Sequence, residues 1–418
     1  MQLPEHIHFI GIGGAGMAPL AELVLAKGVR VSGSDLEENS KCIHLRQLGA
    51  NICIGHRAEN LPDPAALVVY SSAVASDNPE RQKAQKLAIP EMRRGEFLAH
   101  FLKLYKRVAA ISGSHGKSSI SSLLSHILTQ NGMAPGFMIG AGVNNGISAS
   151  IGRNDDIFVT EADESDGTHT LLTPYLGIIP NFDADHSWSV GGEAALLNNF
   201  KTFAARSQNL LLHENDAELF ANCSKTTVLP LPPEDLFFAG HAGFQAVNAR
   251  LAVQAAVMLG CPYEGASAAA SSWQGIARRM TRHAVKGDFI LIEDYAHHPS
   301  EVACALKLLR IQYPEHHLRV IFQPHRYARL EKFFSGFSEA LQKADSRLIV
   351  PVFAAWSESG SVNSEDLATA CGGVCCGTDW GETARIATQP PPDGRKLLIA
   401  VLGAGDIENI IPCLTGEE

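Results

Sequence analysis

Val108-Ala109-Ala110-Ile111-Ser112-Gly113-Ser114-His115-Gly116-Lys117-Ser118-Ser119 is the stretch on which the fold turns. A short apolar strand runs into a glycine-bearing loop, and Gly116-Lys117-Ser118 opens a helix. Ile120, Leu123, Leu124, Ile127 and Leu128 then recur at helical spacing, which predicts one buried helix face. Asn131-Gly132 supplies the stop. Strand, loop and helix in this order point to a phosphate-binding site, with an ordinary strand–helix turn as the alternative. Loop N–H groups and the helix N-terminus face the phosphates, the lysine reaches the terminal ones, and the Ser118 hydroxyl suits Mg²⁺. The complete P-loop pattern also asks for a glycine at position 111, where this chain has Ile111, so the loop is a different, shorter form.

Upstream, Ile7–Ile10 is a buried strand followed by Gly11-Ile12-Gly13-Gly14-Ala15-Gly16-Met17. Gly11, Gly13 and Gly16 take the three positions of a Rossmann glycine turn. A helix to about Lys27 and a strand over Val29–Ser32 follow, leading to Gly33-Ser34-Asp35. Asp35 stands roughly 20 residues past the turn, where a ribose-binding acid is expected. The turn cradles any diphosphate, that of NAD or that of a UDP-sugar. Strands are also predicted around Ile52 and at Leu67–Tyr70. The second ends in Ser71-Ser72-Ala73-Val74 and leads to Asp77-Asn78-Pro79-Glu80. Small hydroxyl residues there suit phosphate or sugar contacts, or simply a turn. His56 is either a ligand contact or plain loop.

Downstream of the Gly-Lys-Ser helix, Gly136–Gly142 is read as a glycine-rich turn. Ile157–Thr160 is a strand that runs into Glu161-Ala162-Asp163-Glu164-Ser165-Asp166-Gly167, and Leu176–Pro180 is another, ending in Asn181–His186. In a parallel sheet these ends converge with Lys117 and Ser118 on one edge, where a hard divalent ion bridging phosphates would find oxygen ligands. The last third repeats the α/β pattern. Phe289–Ile292 ends in Glu293-Asp294-Tyr295-Ala296-His297-His298-Pro299, and Leu318–Phe322 ends in Gln323-Pro324-His325-Arg326-Tyr327-Ala328-Arg329. Strands at Arg347–Val350 and Leu397–Leu402, with helices at Pro299–Gln312 and Leu330–Ala344, complete the unit.

The chain has 418 residues, enough for two to four domains, with an ordinary 45% hydrophobic content and a net charge of −10. It has no basic block, so nucleic acid is not an expected partner, and cations for an anionic ligand must be local: the Gly-Lys loop, Arg278-Arg279 and His325-Arg326. The nine cysteines form neither a disulfide framework nor a zinc spacing, which suits a reducing compartment. No signal peptide and no run of about 18 apolar residues is present, so no membrane association is expected and a cytoplasmic location is.

Taken together these stretches resemble the Mur ligase family of peptidoglycan synthesis, in the family's order and over nearly the whole chain. The Phe322-Gln323-Pro324-His325-Arg326-Tyr327 string resembles its alanine-adding type. The resemblance implies an α/β protein of three domains: a Rossmann-like UDP-sugar-binding domain over 1–106, a central P-loop-type ATP and metal domain over 107–280, and a Rossmann-like C-terminal domain over 281–418. It implies an ATP-dependent amide ligase that joins L-alanine to the lactyl carboxylate of UDP-N-acetylmuramate through an acyl phosphate, with ATP and Mg²⁺ (or Mn²⁺) as cofactors, acting as a monomer or weak homodimer. The UDP-sugar would be bound by Gly11, Gly13, Gly14, Ala15, Gly16, Met17, Ser34, Asp35, His56, Ser71, Ser72 and Ala73. ATP would meet Gly113, Ser114, His115, Gly116, Lys117, Ser118, Ser119, Asn248, Arg279 and Asp294, and the metal Ser118, Glu161 and His186. The amino acid would meet Tyr295, His297 and Arg326, with Lys117, His186, His297, Arg326 and Arg329 carrying the chemistry. Serines stand here where the family loop usually has threonines. Gly243-Phe244-Gln245 replaces a Gly-x-His-Asn string before Asn248, and the segment between His213 and Gly240 is short. The alternatives are a muropeptide-recycling ligase, a nucleotide-sugar-binding pseudoenzyme of the same fold, and an NAD(P)-dependent oxidoreductase built on the first glycine turn, which would leave Lys117, Glu161 and His186 without a task.

Overall fold

Three α/β layers follow one another along the chain. In this computed structural model the described residues are 3–63, 65–140, 148–183, 190–221, 223, 225–231, 237–355 and 359–416. The chain packs as two compact units, the first holding residues up to 232 with 238–241 and 246–274, the second mainly 275–418.

The first unit contains two sheets. One has five parallel strands in the order Asn51–Ile54, Arg30–Asp35, His6–Ile10, Leu67–Tyr70, Glu91–Arg93. Chain order reverses direction beside His6–Ile10, and at such a switch point the loops after neighbouring strands part to leave a crevice. The other has seven strands in the order Lys225–Leu229, Asn209–His213, Leu176–Ile179, Arg107–Ile111, Ile157–Glu161, Gly136–Met138, Ala149–Ser150, parallel except for the last. Its central strand, Arg107–Ile111, feeds the Gly113–Ser119 loop. Helix Lys117–Gln130 buries Ile120, Leu123, Leu124, Ile127 and Leu128 as the spacing predicts, and Asn131 caps its end. The two sheets share one apolar cluster, in which Phe9 of the first sheet and Phe158 of the second lie with Phe97, Phe101 and Phe200 from helices. Phe101 meets Phe158 edge-on at 6.0 Å, an arrangement that favours aromatic pairs.

The second unit is built on a six-stranded sheet in the order Thr281–His283, Phe289–Asp294, Leu397–Leu402, His317–Phe322, Ser346–Ile349, Val374–Cys375, parallel except for the first strand. Helix Pro299–Gln312 has the expected bounds, with proline in its first turn.

Two expectations are corrected. Gly136–Met138 is a strand and not a turn, and its glycine is needed for packing, since a Cβ there would lie 2.5 Å from the Phe158 ring. Leu330–Ala344 is not one helix but parts of two, Tyr327–Lys332 and Phe334–Leu341. Phe333 leaves helical geometry at the break and packs its ring edge-on to His298 at 4.6 Å. Gly142, the end of that expected turn, lies outside the described residues.

Candidate active site

At the switch point of the first sheet the Gly11 turn and the Ser71 turn border a cavity of about 510 Å³. Gly11 has φ +78°, a region open to glycine at little cost. Of the residues expected to hold a nucleotide sugar, Gly11, Gly13, Gly14, Asp35, His56, Ser71 and Ala73 line it. Asp35 accepts a hydrogen bond from the Gly13 N–H at 2.7 Å, so it braces the glycine turn as well as facing the cavity. Ala15 faces a separate cavity. Met17 is buried in the core of its helix, and Gly16 and Ser72 are not part of the lining. Ser34 is fully buried, and its hydroxyl is engaged with Glu80 beneath the cavity floor. Asn39, Asp77 and Asn78 also line the cavity and were not singled out as ligand contacts. The helix-start pattern Asn78-Pro79 was visible, but which way the loop before it faces was not.

On the second sheet, three adjacent strand ends meet at the phosphate-loop pattern. Gly116 takes φ +83° at the helix N-terminus. A Cβ on Gly113 would come 2.8 Å from Pro180 Cδ, and one on Gly116 would come 2.8 Å from Asn248 Oδ1, so Asn248 does reach the loop despite the altered residues before it. Asn181 closes the loop's other side, accepting from the His115 N–H at 2.9 Å through its side-chain oxygen. Ser114 Oγ donates to Asp183 O at 2.7 Å.

In the acidic stretch that begins at Glu161, Glu161 and Glu164 are partners for this loop, whereas Asp163 and Asp166 are exposed and Asp166 pairs with Arg94. Lys117 Nζ donates to Gly113 O at 2.6 Å and pairs with the buried Glu164 at 2.9 Å. Burial would push the Lys117 ammonium down, yet Glu164, Asp163 and Glu161 outweigh it and its pKa is raised. Glu164 is pushed up to about 7, by burial first and by Asp163, against the pull of Lys117. Ser118 Oγ donates to Glu161 Oε2 at 3.0 Å, and the Gly140 N–H donates to the other oxygen of Glu161 at 2.7 Å. A hydroxyl and a carboxylate held together at a helix N-terminus are oxygen donors of the kind a hard divalent cation takes. Behind them His169 is fully buried, bonded through Nδ1 to Asp163 O at 3.3 Å, and burial lowers its pKa to about 4. His186 lies outside the described residues.

In the second unit, strand ends Asp294 and Phe322 bring together most of the remaining expected residues. Asp294 is buried and accepts from the Met280 and Ala296 N–H groups, and burial pushes its pKa up to about 6. His297 donates from Nδ1 to Tyr295 O at 3.0 Å, and burial lowers it to about 4. His325 is lowered to about 3, by burial and then by His297 and Arg329. Arg329 donates to His325 Nδ1 at 3.2 Å, and the two imidazoles lie 5.7 Å apart. Arg279 lies over the Tyr295 ring and pairs with Glu301 at 3.8 Å. Arg326 takes φ +69° with its N–H bonded to Phe353 O, a backbone state that side chains rarely adopt. Arg278, expected among the local cations, is instead spent inside the unit on Glu293, Glu408 and two carbonyls. His325, expected above as a local cation, stands in this cluster as a neutral imidazole, and Glu301, which the sequence did not single out, belongs to it as well. Neutral imidazoles beside guanidinium groups can accept from an ammonium while the guanidinium groups hold a carboxylate.

Two family models match the chain, the Mur ligase family catalytic domain over residues 6–106 and the Mur ligase glutamate ligase domain over residues 278–405. A UDP-N-acetylmuramate–L-alanine ligase of Desulfotalea psychrophila is 35% identical, with 96% of each chain covered. One of Aquifex aeolicus is 34% identical, covering 96% of this chain and 95% of that one. The crystal structure of a UDP-N-acetylmuramate–alanine ligase from Thermotoga maritima superposes with a TM-score of 0.79 at 23% identity, covering 97% of each chain.

Proposed function

Since the chain belongs to the Mur ligase family, we propose that it is an ATP-dependent ligase that joins L-alanine to the lactyl carboxylate of UDP-N-acetylmuramate in peptidoglycan precursor synthesis. The observation that carries this reading is the meeting of Lys117, Ser118 and Glu161 on one sheet edge in a chain 35% identical, over 96% of each chain, to a UDP-N-acetylmuramate–L-alanine ligase.

A carboxylate is a poor electrophile, so it must be activated. The lactyl carboxylate attacks the γ-phosphorus of ATP and ADP leaves, giving an acyl phosphate. The amine of L-alanine attacks the carbonyl carbon, and the tetrahedral intermediate collapses with loss of phosphate and a proton. Two anions must approach each other in the first step, which is unfavourable unless cations stand between them. Lys117 supplies one, moving from Glu164 to the terminal phosphates, and the Gly116 turn and helix N-terminus orient the triphosphate. Ser118 and Glu161 fit Mg²⁺ (or Mn²⁺) by their donor chemistry; when bound, the ion neutralises charge on the phosphates. His186 is the third ligand position in this reading.

The division of labour follows the sheets: 1–106 for the nucleotide sugar, 107–280 for ATP and 281–418 for the amino acid. Asn248 serves the nucleotide, with Arg279 and Asp294. Tyr295, His297, Arg326 and Arg329 handle the amino acid; His297, neutral by burial, keeps an Nε2 lone pair that can accept from the amine. Its substrates and its nine free cysteines suit the cytoplasm, and no described helix is long and apolar enough to cross a membrane. The test is phosphate release from ATP by the purified chain with Mg²⁺. Release that needs UDP-N-acetylmuramate and L-alanine together supports the reading. Release driven by a tripeptide in place of alanine points to recycling, and nucleotide-sugar binding without release points to a pseudoenzyme.

A further inference from the structure

Beneath the first cavity runs a buried line of polar side chains that the proposed chemistry does not use. Glu80 is 0% exposed and sits in the first turn of helix Pro79–Lys86. Its carboxylate lies 2.6 Å from His8 Nε2, 2.8 Å from Ser34 Oγ and 3.1 Å from His56 Nδ1. Beyond His8, Nδ1 is 2.8 Å from Ser32 Oγ, which is 2.9 Å from His6 Nε2. Such a group, far from water, must have every bond made.

With the imidazoles neutral, one placement of protons satisfies the whole line. An ionised carboxylate only accepts, so His8 donates from Nε2, and its Nδ1 then accepts the Ser32 hydroxyl hydrogen. Ser32 oxygen in turn accepts from His6. Ser34 has a single hydroxyl hydrogen, which goes to the carboxylate. His56 Nδ1, within reach of both Ser34 Oγ at 2.9 Å and Glu80, must therefore carry a hydrogen, because a lone pair there would face two oxygens. Burial alone would raise the Glu80 pKa, but the His8 and Ser34 bonds more than offset it and the group is held low, in its accepting form. A neutral His56 is then left with its lone pair on Nε2, and His56 lines the cavity.

We propose that Glu80 is a positioning residue that locks His56 as the Nδ1–H tautomer, so that Nε2 accepts a hydrogen bond from an N–H or O–H of the nucleoside half of the bound nucleotide sugar. A lone pair repels phosphate oxygens, which directs His56 to donors. His56 also follows the strand two places along the sheet from the glycine turn, away from where that turn would hold a diphosphate. The ligand class rests on the function proposed above, whereas the tautomer does not.

The test pairs ¹⁵N NMR of the imidazole rings with calorimetric titration of UDP-N-acetylmuramate. In the unaltered chain the His56 ring is expected to show a protonated Nδ1 and an unprotonated Nε2; a proton on Nε2 with Nδ1 bare overturns the proposal whatever any variant does. Glu80→Gln is expected to weaken binding by about tenfold, to change the His56 tautomer and to leave ATP affinity unchanged. His56→Ala should weaken binding equally, and the double variant no further, with Glu80→Asp recovering part of the affinity. Additive losses in the double variant, or full affinity in Glu80→Gln, contradict the proposal. Should the unaltered chain bind no UDP-N-acetylmuramate, the functional reading fails while the tautomer still decides the role of Glu80.

Discussion

The two glycine turns of the first compact unit are built alike and filled differently. Each follows a buried parallel strand and each opens a helix. Around the Gly11 turn Asp35 ties down one backbone N–H, and a cavity of about 510 Å³ lies beside it. Around the Gly116 turn a lysine ammonium already bridges two loop carbonyls and a buried glutamate. The first turn is an open cradle that offers backbone dipoles. The second holds a cation in reserve against carboxylates. A ligand that is only bound needs the former, whereas a phosphoryl group that gains charge during transfer needs the latter.

Breaking the contrast is most severe at the lysine. Lys117→Ala is expected to lower kcat by about 10³-fold or more while UDP-N-acetylmuramate affinity, measured by calorimetry, stays unchanged. Equal loss of both would mean that the two turns act as a single site. Gly13→Ala reverses the roles. A Cβ there would lie 2.5 Å from Asn39 Nδ2 and 2.7 Å from Cys42 Sγ, so KM for the nucleotide sugar should rise about tenfold with KM for ATP nearly constant. A change confined to ATP would contradict the assignment of the first turn.

A smaller effect separates the acidic loop from its apolar backing. His169 is held neutral in the folded chain, with a pKa of about 4. As pH falls through 6.5 the unfolded chain takes up a proton that the folded one refuses, so stability is lost on the acid side. At pH 5 this amounts to about 2 kcal/mol. His169→Phe keeps an aromatic ring beside Phe200 and Phe203 and should flatten the decline in Tm between pH 8 and pH 5. An unchanged slope would show that His169 titrates normally. The smallest expected effect is Ser118→Thr, which keeps the hydroxyl donated to Glu161 and should leave kcat within about twofold. A larger loss would show that the loop is shaped around serine.

Features set by neighbours in sequence were legible and those set by distant partners were not. The strands at Leu67–Tyr70 and Leu397–Leu402, the helix at Pro299–Gln312 and both glycine turns follow from local spacing and capping. The pairing of Lys117 with Glu164 crosses 47 positions, and His8 reaches Glu80 across 72, distances at which no periodicity speaks. His325 was visible in its motif, but its 5.7 Å approach to His297 depends on two strands lying in one sheet with another between them. The break at Phe333 was hidden because the apolar pattern runs unbroken across it. Ser34, expected as a ligand contact, is buried on Glu80 and is not part of the lining of the first cavity, because which face of its strand it takes depends on the helix that brings Glu80.

The central claim is that the lactyl carboxylate is activated by phosphorylation. UDP-N-acetylmuramate labelled with ¹⁸O in that carboxylate, turned over with ATP and L-alanine, tests it by mass analysis of the released phosphate. One ¹⁸O per phosphate is the expected result, because the carboxylate oxygen that attacks phosphorus leaves with it when the amine displaces the acyl phosphate. Amide formed alongside unlabelled phosphate would contradict the account.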